Sequence, residues 1–265
     1  MGVRRVLWLV LVFAIVAAAC GDDDGGGGLT QSGGILTVGS DISFPPFEEY
    51  EGDIVVGFDA DLINEIAARL GLEAEWVSTP FDTIFTQLST GTFDVVASAT
   101  TITPERAQQV NFTVPYYRAQ QALTVNTAER PDLTSVDDLG EGDRVAVQSG
   151  TTGAAWATDN LAPRGVEVVE YPTAPDTYTA LEGGQVDGVI FDEPSAVEES
   201  ANRENLAVVA VIDTDEDYGF GVDPVRTELL SEMNRVLQEM FDDGTYQEIY
   251  DRWFEAPAGS VLFEG

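Results

Sequence analysis

The chain has 265 residues, 47 of them acidic and 12 basic, for a formal charge of -35, with 44% hydrophobic and 9% aromatic content. That apolar share is enough for a globular core, so the charge alone does not make the chain disordered. Lysine and histidine are absent, which excludes histidine catalysis, a histidine-ligated metal and a phosphate-binding P-loop lysine; so acidic a surface with no basic stripe also repels nucleic acid. The sole cysteine, Cys20, excludes an intrachain disulfide.

In chain order, Arg4 and Arg5 precede an apolar run from Val6 to Ala19. The run is too short for a bilayer span of ~20 residues and suits a signal-peptide core. Ala17-Ala18-Ala19 directly before Cys20 resembles a lipoprotein signal, in which a lipidated cysteine becomes the mature N-terminus. The alternative is an ordinary secretory leader with a cysteine at the cleavage point by chance. Residues 1–19 are then the leader, and 20–34, with three aspartates and a glycine run, a flexible tether. Two acyl chains give stable anchoring, so the protein is expected at the outer face of the cytoplasmic membrane, at the cell surface or in the periplasm. No later stretch of about 18 apolar residues suggests a second crossing.

From Ile35 short β-branched runs alternate with helical patterns. The spacing predicts strands at 35–39, 55–57 and 73–77, a helix over 61–70 ending at Gly71, a helix over 81–90 and a strand at 93–97. After an extended 121–125 the plan repeats: short helix 132–139, strand 144–147, helix 152–160, strand 166–171, helix 175–183, strand 186–191 and strand 206–212. Two amphipathic helices over 224–254, split by Asp242-Asp243-Gly244, must bury their apolar faces against something earlier. The fold class is α/β, with a mixed sheet flanked by helices in each of two lobes. Residues 35–119 with 218–265 make lobe 1 and 122–212 lobe 2, the chain crossing twice through hinges near 119–123 and 212–218. Ligands of such sheets bind at the carboxyl ends of the strands.

Four stretches carry a resemblance: Asp41-Ile-Ser-Phe-Pro-Pro-Phe47, Gly57-Phe-Asp-Ala-Asp-Leu-Ile-Asn-Glu-Ile-Ala67, Thr100-Thr-Ile-Thr-Pro-Glu-Arg106 and Asp243-Gly-Thr-Tyr-Gln-Glu-Ile-Tyr-Asp-Arg-Trp-Phe254. In this order and spacing the chain resembles the family 3 extracellular solute-binding proteins, amino-acid receptors of ABC importers. Ala60 departs from the family pattern, which has a larger aliphatic residue there. The resemblance implies a type II periplasmic-binding-protein fold that closes on one small ligand. It also implies an L-amino acid and ABC permease subunits as partners, a monomer, and neither cofactor nor metal.

A free amino acid brings a carboxylate and an ammonium, and burying either unpaired costs several kcal/mol. The resemblance assigns the carboxylate to Arg106, whose planar fork bonds both oxygens, with Thr101 beside it. The alternative for Arg106 is a surface residue at a helix start. It assigns the ammonium to Asp192, after Val189-Ile-Phe191, with the carbonyl of Ala99 and Ser98 adding to the site. Asp192 could instead cap the helix entered through Pro194. Gln148-Ser-Gly-Thr-Thr-Gly153 sits between strand and helix, so Thr151 and Thr152 should complete the carboxylate cradle, unless they only cap a glycine turn. Phe44 and Phe58 match positions whose rings sandwich the ligand side chain, core packing being the alternative for Phe58. Asp41 and Gln148 are expected at the distal end, favouring basic or amide side chains; Asp41 could instead close a turn before Ser43. Arg118 is the one arginine that could reverse this by facing a distal carboxylate. Two rivals stand: a cyclohexadienyl-dehydratase-like enzyme on the same fold, which needs a raised carboxyl group in the cleft, and a ligand-sensing subunit for a separate membrane protein.

Overall fold

The computed structural model describes residues 28–254, so the leader, Cys20 and the first part of the tether lie outside the described residues. Lobe 1 begins with β1 (Ile35–Ser40), the hairpin of β2 (Glu49–Glu51) and β3 (Ile54–Val56), α1 (Phe58–Arg69), β4 (Glu73–Ser78), α2 (Ile84–Ser89), β5 (Val95–Val96) and β6 (Asn111–Phe112). The long β7 (Tyr117–Asn126) leads into lobe 2, built from β8 (Arg144–Gln148), α3 (Thr152–Asn160), β9 (Glu167–Tyr171), α4 (Ala174–Glu182), β10 (Gly188–Asp192) and α5 (Glu193–Ala201). The 13-residue β11 (Leu206–Tyr218) returns, and β12 (Gly221–Val222), α6 (Thr227–Asp243) and α7 (Thr245–Trp253) finish in lobe 1. The sheets run β4-β1-β5-β12-β6 and β11-β7-β10-β8-β9. Both are mixed: β1 lies parallel to β4 and β5 while β12 is antiparallel, and β8 lies parallel to β9 and β10 while β7 and β11 are antiparallel.

The lobe 1 core forms because α1 places Leu62, Ile63, Ile66 and Ala67 on one stripe, against Leu229, Met233, Val236, Leu237 and Met240 of α6. Each such fully buried Leu or Met contributes ~1.5–3 kcal/mol. Gly57 starts α1 at φ 134, and a Cβ there would stand 2.0 Å from the Phe47 carbonyl oxygen, so only glycine fits. In lobe 2 the central strands β8 and β10 are buried on both faces. Along β10, Val189 and Phe191 enter one cluster with Tyr178 and Leu181, while Ile190 enters another with Val145, Val147 and Leu161.

β7 and β11 pair antiparallel from Asn126↔Leu206 to Tyr117↔Tyr218, and the stretches expected to be hinges fall inside them. Ile212 faces Gln121 and Glu216 faces Ala119, so β11 carries extra residues between them, Asp215 standing at φ 50. Three expectations need correction. The expected helix over 132–139 is only a single 3-10 turn, Val136–Asp138, because Asp138 turns back onto Thr134 and Ser135. The strand over 93–97 pairs regularly only at Val95–Val96, and the strand over 206–212 continues to Tyr218. Among the described residues no helix is long and apolar enough to cross a membrane.

Candidate functional site

A narrow cleft of about 20 Å³ lies between the lobes, at the carboxyl ends of β1, β5, β8 and β10. It gathers Asp41, Phe44, Ser98, Ala99, Thr101 and Arg106 from lobe 1 with Gln148, Thr151, Thr152 and Asp192 from lobe 2. Of the expected ligand-site residues, Phe58 alone stands outside it. It is fully buried behind the cleft, edge-on to Phe47, Tyr117, Tyr246, Tyr250 and Phe254. The correction has a plain cause: Phe58 opens α1, whose first turn faces the core. The walls are completed by Phe81 and Phe191, which the sequence reading passed over. Phe44 meets Phe191 across the lobes with ring centroids 5.1 Å apart.

Arg106 starts a short 3-10 turn and is 8% exposed. Its Nη1 donates to the Thr101 carbonyl at 2.8 Å, and its Nη2 crosses to the Gly150 carbonyl at 3.2 Å. The guanidinium carbon lies 5.2 Å from the Phe81 ring centre and 5.4 Å from that of Phe85. Burial lowers its pKa from the usual arginine value, opposed by the charges of Asp192 and Glu216.

Asp192 ends β10 and makes no cap bond to α5. Its carboxyl instead accepts from the Gln121 amide and the Tyr218 hydroxyl. Burial first, then the nearby Glu216, raise it to about 7. At the other end, the Gln148 amide of lobe 2 donates to Asp41 Oδ2 of lobe 1 at 2.6 Å. Ser43 also donates to Asp41 Oδ1 at 3.2 Å, so the turn-closing contact is made alongside the cleft-facing one. Burial raises Asp41 as well. Thr151 caps α3, accepting from the Ala154 amide at 3.1 Å and donating to the Gln148 carbonyl at 2.8 Å. Arg118 stands exposed on β7, paired with Asp217 at 2.8 Å and Asp215 at 3.3 Å, away from the cleft. Glu193, next to Asp192, is half-buried.

Two further buried acids shape the lobe 1 side. The Ser98 hydroxyl donates to Glu48 Oε1 at 3.0 Å and accepts from the Asp41 amide at 3.1 Å. Ala99 is left-handed at φ 42, a strained value for alanine, and its amide donates to Asp59 Oδ2 at 3.0 Å. Tyr116 donates to the same oxygen at 2.7 Å. Burial raises Asp59 to about 7 and Glu48 well above the usual carboxylate range. Glu216, from the crossover strand, accepts from Thr101 and from Thr152, each at 2.7 Å. The sequence reading missed it, because it stands in the acidic run Asp213-Thr-Asp-Glu-Asp217.

Residues 36–256 match the model of the bacterial extracellular solute-binding proteins, family 3. The ABC transporter arginine-binding protein 1 of Escherichia coli (strain K12) is 32% identical, over 83% of this chain and 90% of its own length. An ancestral arginine-binding protein has been solved bound to arginine (37% identity, TM-score 0.78, 83% of this chain and 98% of the other). An ancestral arginine-binding protein bound to glutamine is also similar (36% identity, TM-score 0.80, 84% of this chain and 99% of the other). The four sequence stretches, the paired α/β lobes and these likenesses agree: the chain belongs to the bacterial extracellular solute-binding proteins, family 3.

Proposed function

We propose that this protein is the receptor of an amino-acid ABC importer, capturing a free L-amino acid with a basic or amide side chain and passing it to the permease. The observation that carries this reading is one cleft lined from opposite lobes by a buried guanidinium, Arg106, and a buried carboxyl, Asp192. Those are the two partners a zwitterion needs. Arg106 takes the carboxylate, with Thr101, Thr151 and Thr152 around it. Asp192, Ser98 and the Ala99 carbonyl take the ammonium. Asp41 and Gln148 meet the distal group between the rings of Phe44, Phe81 and Phe191, where a cation gains ~0.5–2 kcal/mol from an aromatic face. The acids around the cleft favour a cationic or donor-bearing side chain, as does the naming of its relatives for arginine and the glutamine complex of the ancestral protein.

Lobe 2 (122–212) closes on lobe 1 (35–119 with 218–265) by bending of β7 and β11 near 119–123 and 212–218, and the ligand favours closure because its partners lie on both sides. The protein acts as a monomer held outside the cytoplasmic membrane by lipid on Cys20. Replacing Cys20 with serine should release it to the soluble fraction. A thermal-shift screen of the chain from Gly21 onward against the common amino acids, followed by titration calorimetry, tests the main reading. Arginine, histidine, ornithine, lysine or glutamine should bind at micromolar or tighter, about -8 kcal/mol or beyond. Selective binding of glutamate or aspartate would overturn the side-chain assignment, and no shift with any amino acid would overturn the whole. The dehydratase reading draws on Asp192, whose raised carboxyl could serve as a general acid; turnover of prephenate or arogenate by the purified protein would establish it.

A further inference from the structure

Glu216 sits on the crossover strand β11, directly after the extra residues 213–215, and is 7% exposed. One oxygen, Oε2, accepts from the Thr101 hydroxyl of lobe 1 and from the Thr152 hydroxyl of lobe 2, each at 2.7 Å. The other, Oε1, accepts from the Gln121 amide of β7 at 3.0 Å. A single side chain of the crossover thus clasps both lobes. A threonine hydroxyl has one proton to give. While Glu216 holds both, the two threonines turn only lone pairs towards an incoming carboxylate, and Glu216 adds a like charge beside them.

We propose that Glu216 is a specificity-determining residue, an internal carboxylate that occupies Thr101 and Thr152 in the ligand-free protein and must be displaced by the carboxylate of the ligand. The inference rests on the amino-acid reading of the cleft. Displaced, Glu216 has somewhere to go. A solvent-open groove on the hinge side, lined by Pro104, Trp156, Asp213, Asp215 and Glu216 itself, shares Thr101 and Thr152 with the cleft. A contact made in the ligand-free state and lost on binding lowers affinity, so removing it must tighten binding. Only ligands whose carboxylate, gripped by Arg106, outcompetes Glu216 are then retained, which penalises amines and other cations lacking a carboxylate.

The test uses Glu216→Ala and Glu216→Gln, with L-arginine as the probe and two readouts. Calorimetry should give tighter arginine binding in both variants, by about five- to tenfold for alanine and less for glutamine, which keeps one acceptor. Small-angle scattering of the ligand-free proteins should give a larger radius of gyration for the variants, since the clasp no longer favours closure. Equal or weaker binding in the variants would overturn the proposal and leave Glu216 as a support that orients the two threonines. Should the wild-type protein bind no amino acid, the functional reading fails separately, and scattering alone decides: an unchanged radius overturns the clasp. Should Glu216→Ala not fold, Glu216→Gln carries both measurements.

Discussion

Asp94 and two acids behind the cleft, Glu48 and Asp59, are all buried, yet they are treated in opposite ways. At the start of β5, Asp94 is fully enclosed, and both its oxygens are occupied. Oδ1 takes the Gln31 amide at 2.8 Å and lies 3.5 Å from Arg226; Oδ2 takes the Thr37 amide at 3.1 Å and the Thr37 hydroxyl at 2.6 Å. At the other end of the same sheet, Asp59 Oδ1 and Glu48 Oε2 are buried with no hydrogen-bond partner among the described residues. No arginine pairs with either side chain in the described set, and both groups are raised. A saturated carboxylate staples structure; an under-partnered one keeps capacity for something else. Lobe 1 is stapled at the end of its sheet away from the cleft and keeps spare acceptor atoms at the end that faces it.

The sharpest way to break this contrast is a pair of substitutions. Arg106→Ala should weaken amino-acid binding by about 100- to 1000-fold, ~3–4 kcal/mol, because it leaves the carboxylate without its charged partner. Asp94→Ala should instead lower folding stability by about 3 kcal/mol, stranding the Gln31 and Thr37 amides, while the surviving folded protein binds as before. Calorimetry and denaturant melts separate the two, and a loss of affinity in Asp94→Ala would erase the distinction. The next effect is pH-dependent. Asp192 stands at about 7 against an unfolded value of 3.8, so the folded protein holds its proton across that window. An ammonium ligand needs the ionised form, and affinity for arginine should rise by up to about tenfold per pH unit from pH 5 to 7, then level off. In the ligand-free protein the sign reverses. Protonated Asp192 and Asp59 contribute stability that is lost as pH rises through about 7, so the melting temperature should fall from pH 5 to pH 8. The smallest effect is expected from Phe58→Leu, about 1–2 kcal/mol of stability with affinity within about twofold, since the ring packs in the core and touches no part of the cleft.

Much of this was legible in the sequence. The β-branched runs and helical stripes located most elements, because strands buried on both faces and helices with one apolar stripe leave unmistakable periods. The site residues of the first and third motifs, Asp41, Phe44, Thr101 and Arg106, converge on one cleft because they follow the carboxyl ends of strands, whereas Phe58 of the second packs in the core. What could not be read was which rings face inward. Phe58, Phe81 and Phe191 look alike in a chain; only the direction of the first turn of α1 sends Phe58 to the core. Glu216 was hidden differently. It lies in Asp213-Thr-Asp-Glu-Asp217, within a chain of 47 acids, where one more acid carries no signal. Its side chain turns inward because Asp213 and Asp215 are exposed while Thr214 and Glu216 take the opposite parity, a register set by the irregularity in β11. The helix expected over 132–139 failed for a related reason: an acid close to Ser and Thr bonded the local backbone in place of an i−4 ladder.

The first described residues sit on lobe 1, where Leu29 packs against its core and its carbonyl accepts from Arg226 at 3.4 Å. Helices α6 and α7 end on the same lobe. Any pull transmitted through the segment upstream of Leu29 is therefore borne by one jaw only. If the chain is anchored through Cys20 as proposed, the other jaw carries none of that load, and the length of the leash does not enter the energetics of closure.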